Sequence, residues 1–215
     1  MIDFVIDWET FATTPDAVVL TFAITAFDED KLNTFDELFE QSQMWKFDIE
    51  SQINSGRVIS PDTLSWWEKQ PPEVLKAQCE PSDNDISLDQ FVISLSDYLL
   101  SHGHNSRESQ FFCRGASFDF PIMANVVENH SHFNSKMFPC PFWNQNDLRS
   151  YIRGMFVDRK HTKVPLPKGS LDKFVHHDPL HDCVRAAMHI QHARSYALDL
   201  IDNPEGDQID PNSNK

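Results

Sequence analysis

The feature that most constrains this chain is its opening, where a strand pattern carries two closely spaced acids. Residues 2–10 read IDFVIDWET, a run dominated by β-branched and aromatic side chains. Alternation sorts this run into Ile2, Phe4, Ile6 and Trp8 on one face and Asp3, Val5, Asp7 and Glu9 on the other. Two residues along a strand advance about 6.6 Å, so the carboxylates of Asp7 and Glu9 can converge on one cation. The alternative is a solvated acidic face on an edge strand.

Composition indicates one domain that does not span a membrane. The chain has 215 residues, of which 40% are hydrophobic and 24% charged, as in ordinary globular proteins. Its longest weakly polar run, 17–27, is about half the length of a membrane-spanning helix. Acids at the start replace the basic and apolar segments of a secretory signal. We expect a cytoplasmic protein.

The cysteine spacing and the charge distribution limit the kinds of molecule that this protein is expected to bind. The four cysteines, Cys79, Cys113, Cys140 and Cys183, are widely spaced without a C-x-x-C pair, which predicts free thiols. A net charge of −15 argues against a polyanionic partner. However, seven of the eighteen basic residues lie between Arg149 and Lys173. A bound divalent cation would also reverse the local sign of a carboxylate cluster.

The pattern predicts strands first and helices later. Segments 2–10, 17–27 and 34–47 are predicted to form an antiparallel three-strand meander. Further strands are predicted at 110–113 and at Phe142-Trp143. Helices are predicted to begin at Pro61, after Ser87 as part of a capping box, and after Asp147. A further helix is predicted through 122–127, with Asp119 at the switch from strand to helix. A last helix runs from Pro179 to about Leu200, and 201–215 is predicted to be a flexible tail. The predicted domain therefore covers 1–200.

The start of the last helix brings a histidine beside an acid. Asp178 followed by Pro179 is typical of an N-cap and the first helical position. His177 and Asp182 then occupy the two positions that usually meet as a hydrophobic staple. A potential base therefore lies beside a potential metal ligand. The alternative is a surface pair favoured by the helix dipole.

Asp7-x-Glu9, Asp119 after a central strand, and His177-x4-Asp182 follow one another along the chain. In this order and on these elements they resemble the DEDDh branch of the DnaQ-like 3′-to-5′ exonucleases. Within that family, the chain is similar to the phage exodeoxyribonucleases. Five strings carry this closer resemblance: TLSWW (63–67), FDFPI (118–122), PFWNQNDLR (141–149), PLPKGSLDKF (165–174) and HDPLHDC (177–183). The resemblance implies an α/β, ribonuclease-H-like mixed sheet that opens with the antiparallel meander and is flanked by helices.

The resemblance also implies the chemistry. Asp7 would bridge two metal ions, Glu9 and Asp182 would complete the first site, and Asp119 would support the second. His177 would accept the proton of the attacking water. Oxygen-only ligands favour Mg²⁺ or Mn²⁺, two per active site. The expected partner is a nucleic acid with a 3′ end, DNA in the first place, and the expected products are 5′-mononucleotides made in a bacterial or phage-infected cell.

Substrate contacts are predicted at several further positions. Following family members, Thr10 and Phe11 would hold the terminal nucleotide through main chain and an apolar side chain. Of Trp66 and Trp67, which are adjacent on a helix, one is predicted to enter the core and the other to stack on a base. The remaining candidates are Phe120 beside the terminal base and Arg114, Lys160 and Lys163 on phosphates.

Three other readings compete with a DNA exonuclease. An exoribonuclease would use the same five residues, because one sequence does not reveal contacts to the 2′-hydroxyl. A non-catalytic acidic binding protein would carry dispersed acids and need no metal. A glycosidase would use paired carboxylates but gives no reason for the pairing of His177 and Asp182.

Overall fold

A five-stranded mixed sheet forms the centre of the computed structural model, which describes residues 1–129, 139–160 and 162–213. The strands are β1 (Ile2–Thr10), β2 (Val19–Asp28), β3 (Ser42–Lys46), β4 (Phe111–Cys113) and β5 (Gln145–Asp147). Their order is β3-β2-β1-β4-β5. The first three strands are antiparallel neighbours, whereas β1, β4 and β5 run parallel. The predicted opening meander and mixed sheet are therefore confirmed.

Eight α-helices flank the sheet in the described part of the chain. They are α1 (Phe35–Glu40), α2 (Ile49–Asn54), α3 (Pro61–Trp67), α4 (Pro72–Cys79), α5 (Leu88–Ser101), α6 (Ala116–Glu128), α7 (Leu148–Phe156) and α8 (Pro179–Ala197). Side chains of α5 and α6 pack on one face of the sheet, and those of α1, α7 and α8 on the other. The sheet is thus buried between two helical layers.

Alternation along β1 sorts its side chains between these two layers. Trp8 is fully buried on the α5 and α6 side, where its ring lies 4.4 Å from that of Phe22 and 5.5 Å from that of Phe91. Val5 packs on the α8 side. Because side chains alternate, Asp7 and Glu9 also face α8. The alternation predicted from the sequence is confirmed.

Most helix starts follow their capping residues. Ser87 and Gln90 form the predicted capping box of α5. Asp147 accepts from the N–H of Ser150 at 2.9 Å, and Asp178 accepts from Leu180 N at 3.0 Å. The last helix ends at Ala197, three residues before the predicted end.

Two strand predictions are wrong in position. Residues 34–47 are not one strand, because Thr34 and Glu37 form a capping box that starts α1, and β3 begins only at Ser42. Phe142–Asn144 is a 3-10 turn, and the strand follows at Gln145–Asp147. In both segments aromatic content favours a strand, but local hydrogen bonds decide otherwise.

The predicted flexible tail instead packs on the body of the protein as far as Ser213. The carboxylate of Asp210 accepts from the N–H groups of Gly169 and Leu171 at 3.0 and 2.9 Å. Ser213 Oγ accepts from the N–H of Leu166 at 3.0 Å. Asp210 and Ser213 are both buried. Polar composition suggested solvation, but these side chains satisfy buried backbone donors; residues 214–215 lie outside the described residues.

Candidate active site

The two acids of β1 lie where this strand ends. Asp7 and Glu9 are half-buried, and their strand is the centre of the sheet. Burial raises the pKa of Asp7 well above its ordinary value, and the charges of Glu9, Asp119 and Asp182 raise it further. Burial, followed by the charges of Asp182, Asp119 and Asp178, raises the pKa of Glu9 to about 8. These carboxylates are therefore crowded by like charge.

Asp119 approaches the acids of β1 from the neighbouring parallel strand. It lies in the first turn of α6, directly after β4, and parallel strands end at the same sheet edge. Its carboxylate accepts from the N–H of Trp8 at 3.3 Å and from the thiol of Cys113. Burial nevertheless raises the pKa of Asp119 to about 7. The side chain is held in one orientation beside β1.

Asp182 enters the site from α8, which packs across β1 and β2. Its Oδ1 accepts from the guanidinium of Arg185, one turn later on the same helix. Burial raises the pKa of Asp182, and the positive charges of Arg185, Arg114 and His177 oppose this rise. Asp182 is thus already paired with a cation from the protein.

The carboxylates of Asp7, Glu9, Asp119 and Asp182, here called the acid cluster, lie near enough for their charges to interact, but they are not yet arranged as metal ligands. No three His, Cys, Asp or Glu side chains within 1–129, 139–160 and 162–213 stand close enough to hold a metal ion as they are. Asp182 is engaged by Arg185, and Asp119 by Trp8 and Cys113. The donor set is nonetheless made of carboxylate oxygens alone, and a divalent cation would relieve the repulsion that raises the pKa values of Asp7 and Glu9. In chemistry, the site fits Mg²⁺ or Mn²⁺.

His177 differs from its two histidine neighbours. It is exposed, as His176 is, but its backbone is left-handed with φ 61°, and its ring lies 6.2 Å from that of Trp66. His181 instead accepts from the N–H of Val175 at 2.9 Å and packs in an aromatic cluster. The ring of His176 lies against Phe174. Of the three, His177 is the one whose ring lies beside Trp66 and whose backbone is left-handed.

A cleft of about 420 Å³ runs from Glu9 to α3. Trp67 is buried, and its indole N–H donates to the carbonyl of Thr10 at 2.9 Å. Trp66 is 45% exposed and lines the cleft. The prediction that one tryptophan is core is confirmed, and the structure identifies it as Trp67. Phe118, which the sequence reasoning missed, lines the same cleft.

Of the three predicted contacts to the terminal nucleotide, the structure contradicts the one from Phe120, and it shows bonds that Thr10 and Phe11 already make. Phe120 is 2% exposed and belongs to the core, because it lies two residues after Phe118 on α6 and so faces elsewhere. Thr10 lines the cleft, but its side chain is buried and donates to the carbonyl of Ala12 at 2.5 Å. The N–H of Phe11 already donates to Val18 at 2.8 Å.

Basic side chains surround the acids. Arg114, at the end of β4, is half-buried and its guanidinium donates to Nδ1 of His189 at 2.8 Å. Lys163 is half-buried; burial lowers its pKa, and the nearby charges of Arg114 and Arg185 lower it further. Lys160 is exposed. The structure therefore brings Arg114 and Lys163 to the site and leaves Lys160 on the surface.

Comparison with known proteins identifies the family. The model of a 3′-5′ exoribonuclease Rv2179c-like domain matches residues 3–194. The chain belongs to this family. It is also 38% identical to the exodeoxyribonuclease of Enterobacteria phage T4, over 98% of this chain and 97% of that protein. This Rv2179c-like protein is an enzyme, a nuclease of the 3′-to-5′ exonuclease type.

Solved structures agree on the fold. The nuclease domain of 3′hExo, described as a DEDDh family member bound to rAMP, is 14% identical with a TM-score of 0.55, covering 95% of this chain and 96% of that one. The E. coli ExoI–ssDNA complex, a metal-free form, is 14% identical with a TM-score of 0.53, covering 93% of this chain. The chain spans 41% of the ExoI chain. The Rv2179c-like fold is therefore the ribonuclease-H-like fold predicted from the sequence.

No helix in the described ranges has both the length and the apolar character needed to cross a lipid bilayer. The four cysteines are free thiols, as their spacing predicts.

Proposed function

We propose that this protein is a metal-dependent 3′-to-5′ exodeoxyribonuclease that releases 5′-mononucleotides. DNA is favoured because the relative that is 38% identical over nearly the full chain is named an exodeoxyribonuclease. The family description names an exoribonuclease instead, and this supports RNA as the second candidate. Both substrates would use the same acids.

One observation carries the proposal: acids from three separate elements meet at one sheet edge, where Asp119 and Asp182 raise the pKa values of Asp7 and Glu9. Asp7 and Glu9 come from β1, Asp119 from α6 and Asp182 from α8. Four carboxylates crowded in this way destabilise a fold unless a cation joins them. These four residues would hold two Mg²⁺ or Mn²⁺ ions. When bound, such ions activate water and neutralise the charge that develops on the phosphate.

The protein itself orients these acids. The N–H of Trp8 and the thiol of Cys113 hold Asp119, and α8 carries Asp182 toward the end of β1. The separate supports matter because a ligand that swings freely must be ordered again in each turnover. Arg114 and Lys163 supply positive charge for the phosphates of the strand.

His177 is proposed as the base that accepts the proton of the attacking water. A histidine suits this step because its ordinary pKa lies near neutrality. Its exposure leaves the ring accessible to substrate, and the N-capped start of α8 brings it near Asp182. Its left-handed backbone supports a functional role, since such strain tends to be kept where a side chain must point in one direction.

The cleft beside Glu9 is proposed to receive the terminal nucleotide. Trp66 offers an exposed ring on which a base can stack, and Phe118 contributes a second aromatic surface. Stacking tolerates any base, as an enzyme that removes nucleotides in succession requires. We further propose a cytoplasmic enzyme whose single catalytic domain includes the packed segment up to Ser213.

Isosteric replacement of the three aspartates tests the proposal. Asp7→Asn, Asp119→Asn and Asp182→Asn should each reduce hydrolysis at least about a thousandfold while the protein remains folded. Asp36→Asn, which alters an exposed acid paired with Lys173, is the matched control and should be fully active. Full turnover by a site variant would remove that residue from the mechanism.

A single-turnover experiment tests His177. Replacing it with glutamine should slow hydrolysis about a hundredfold or more and change oligonucleotide affinity little. The same replacement at His176 is the control. An unchanged single-turnover rate in the His177 variant would show that this residue is not the base.

A further inference from the structure

A buried histidine outside the acidic motifs lies directly behind the proposed active site. His189 is fully buried on α8, seven residues or about two turns after Asp182, so both side chains lie on the same side of the helix. Its Nδ1 is 2.8 Å from Nη2 of Arg114. A guanidinium has only donors, so Nδ1 must accept. The ring is therefore neutral, with its proton on Nε2.

Arg114 is held by more than this one bond. Its Nη1 donates to the carbonyl of Thr162 at 3.5 Å, and its own carbonyl accepts from the guanidinium of Arg149. The residue follows β4 immediately, five positions before Asp119. Its guanidinium is near enough to Asp7 and Asp182 for their charges to act on it. Backbone and side chain together fix a cation at the edge of the acid cluster.

The surroundings of Arg114 favour an additional anion. Burial and the charges of Arg185 and Arg149 lower the pKa of Arg114 to about 10, although Asp182 and Asp7 oppose the shift. Burial also lowers the pKa of Lys163, and the charges of Arg114 and Arg185 lower it further. A negatively charged phosphodiester bound against Arg114 and Lys163 would relieve the repulsion between these cations.

Packing alone does not account for a histidine at this position. Nε2 of His189 is buried and has no hydrogen-bond partner among the residues that the structure describes. An unpartnered buried donor disfavours folding, and an apolar side chain would fill the same space without it. What distinguishes histidine here is the acceptor that it presents to Arg114.

We infer that His189 is a positioning residue that fixes the guanidinium of Arg114 for contact with a phosphate of the bound strand. This role rests on the proposed function, because it supposes a nucleic acid at the acid cluster. Arg114 touches the substrate, and His189 acts through it. The test must therefore distinguish an effect on Arg114 from a general loss of packing.

Two amide replacements separate these effects. The side chain of His189→Asn places an acceptor at the position of Nδ1, whereas that of His189→Gln places its amide near Nε2. We expect the Asn variant to keep kcat within about threefold and the Gln variant to lose about ten- to a hundredfold, the usual cost of an orienting partner. His192→Gln is the matched control, because His192 is a buried histidine on the same helix that bonds Met188 O.

A double-mutant cycle measures whether the losses in kcat at His189 and Arg114 are coupled, which a purely structural role of His189 does not predict. If His189 acts through Arg114, adding His189→Gln to Arg114→Gln should cost nothing further in kcat. The cycle is repeated for binding of a fluorescent DNA oligonucleotide in chelator. There Arg114→Gln should lower the salt slope of binding by about one. Arg114→Lys leaves His189 intact and should lower kcat about tenfold while preserving that slope.

The outcomes distinguish this inference from the proposed function. Equal kcat for the Asn and Gln variants, additive losses in the cycle, or full activity of Arg114→Lys would overturn the positioning role. A wild-type protein that binds DNA but hydrolyses neither polymer would reject the proposed function, and the binding cycle would still decide the role of His189. Failure of the wild-type protein to bind a nucleic acid would reject both.

Discussion

Asp182 and Arg185 form an ion pair at the edge of the acid cluster, with Arg185 stacked over the ring of Phe174 at 4.3 Å. A carboxylate paired in this way must be shared or released when it binds a metal ion. The guanidinium thus competes with a divalent cation for Asp182 and also repels it.

Removing this competition should strengthen metal binding. We expect Arg185→Gln to bind Mn²⁺ about tenfold more tightly at pH 8.5, because one positive charge has been lost beside the site. Titration of the metal-free protein by electron paramagnetic resonance measures this directly. Arg194→Gln, which breaks a surface pair with Asp30, is the control. Weaker binding by the Arg185 variant would mean that this arginine orients Asp182 for the metal.

The raised pKa values predict how stability depends on pH. Glu9 holds its proton up to about pH 8 in the folded protein, against an ordinary value of 4.5, and Asp119 up to about 7, against 3.8. The folded state therefore binds more protons than the unfolded state between these limits, and its stability falls as pH rises through them. In chelator, the melting temperature should drop by several degrees between pH 6.5 and pH 9.

Two controls accompany this measurement. Glu9→Gln should flatten the dependence, because it removes a group that loses its proton in that range. Excess Mg²⁺ should stabilise the wild-type protein more at pH 9 than at pH 6.5, since a cation binds the deprotonated acids. A melting temperature that is independent of pH in chelator would contradict the crowding of these carboxylates.

The two adjacent tryptophans should respond in opposite ways. Trp67→Ala removes a buried side chain and its bond to Thr10, and should cost about 3–5 kcal/mol of unfolding free energy. Trp66→Ala should leave stability nearly unchanged but weaken oligonucleotide binding about tenfold or more, as expected for the loss of one stacked base. Denaturant unfolding and fluorescence anisotropy separate the two effects. Unaltered oligonucleotide affinity in Trp66→Ala would show that Trp66 does not stack on a base.

Phe118 and Phe120 form a second matched pair. Phe118→Ala should raise KM because its ring lines the cleft, with a small effect on stability. Phe120→Ala should destabilise the protein by about 3–5 kcal/mol, because the side chain is fully enclosed. Kinetics and denaturant unfolding on the same preparations provide the comparison. The reverse pattern would restore Phe120 as the residue beside the terminal base.

The sequence predicted the structure correctly where a local pattern is compatible with only one conformation. The alternation along β1 predicted both its burial and the placement of Asp7 and Glu9, and the capping residues Ser87 and Asp178 predicted helix starts. These features depend on neighbours within a few positions. They therefore leave a mark that can be read without knowing the fold.

The missed features depend on contacts between distant segments. Asp210 reads as part of a solvated tail, and nothing local indicates that it accepts from Gly169 and Leu171. Likewise, His189 is unremarkable on a helix until the fold brings Arg114 against it. The choice of Phe118 over Phe120 at the cleft required the rotation of α6, although helical geometry alone placed the two on different faces.

The most direct test of the central claim is the release of products from matched 3′-labelled and 5′-labelled single-stranded DNA and RNA. Each polymer is incubated with Mg²⁺, with Mn²⁺ and with chelator. We predict metal-dependent release of 5′-mononucleotides from the 3′ end, with DNA degraded faster than RNA. Faster degradation of RNA would contradict the assignment to DNA. Release in the presence of chelator would contradict the role of the four carboxylates as metal ligands.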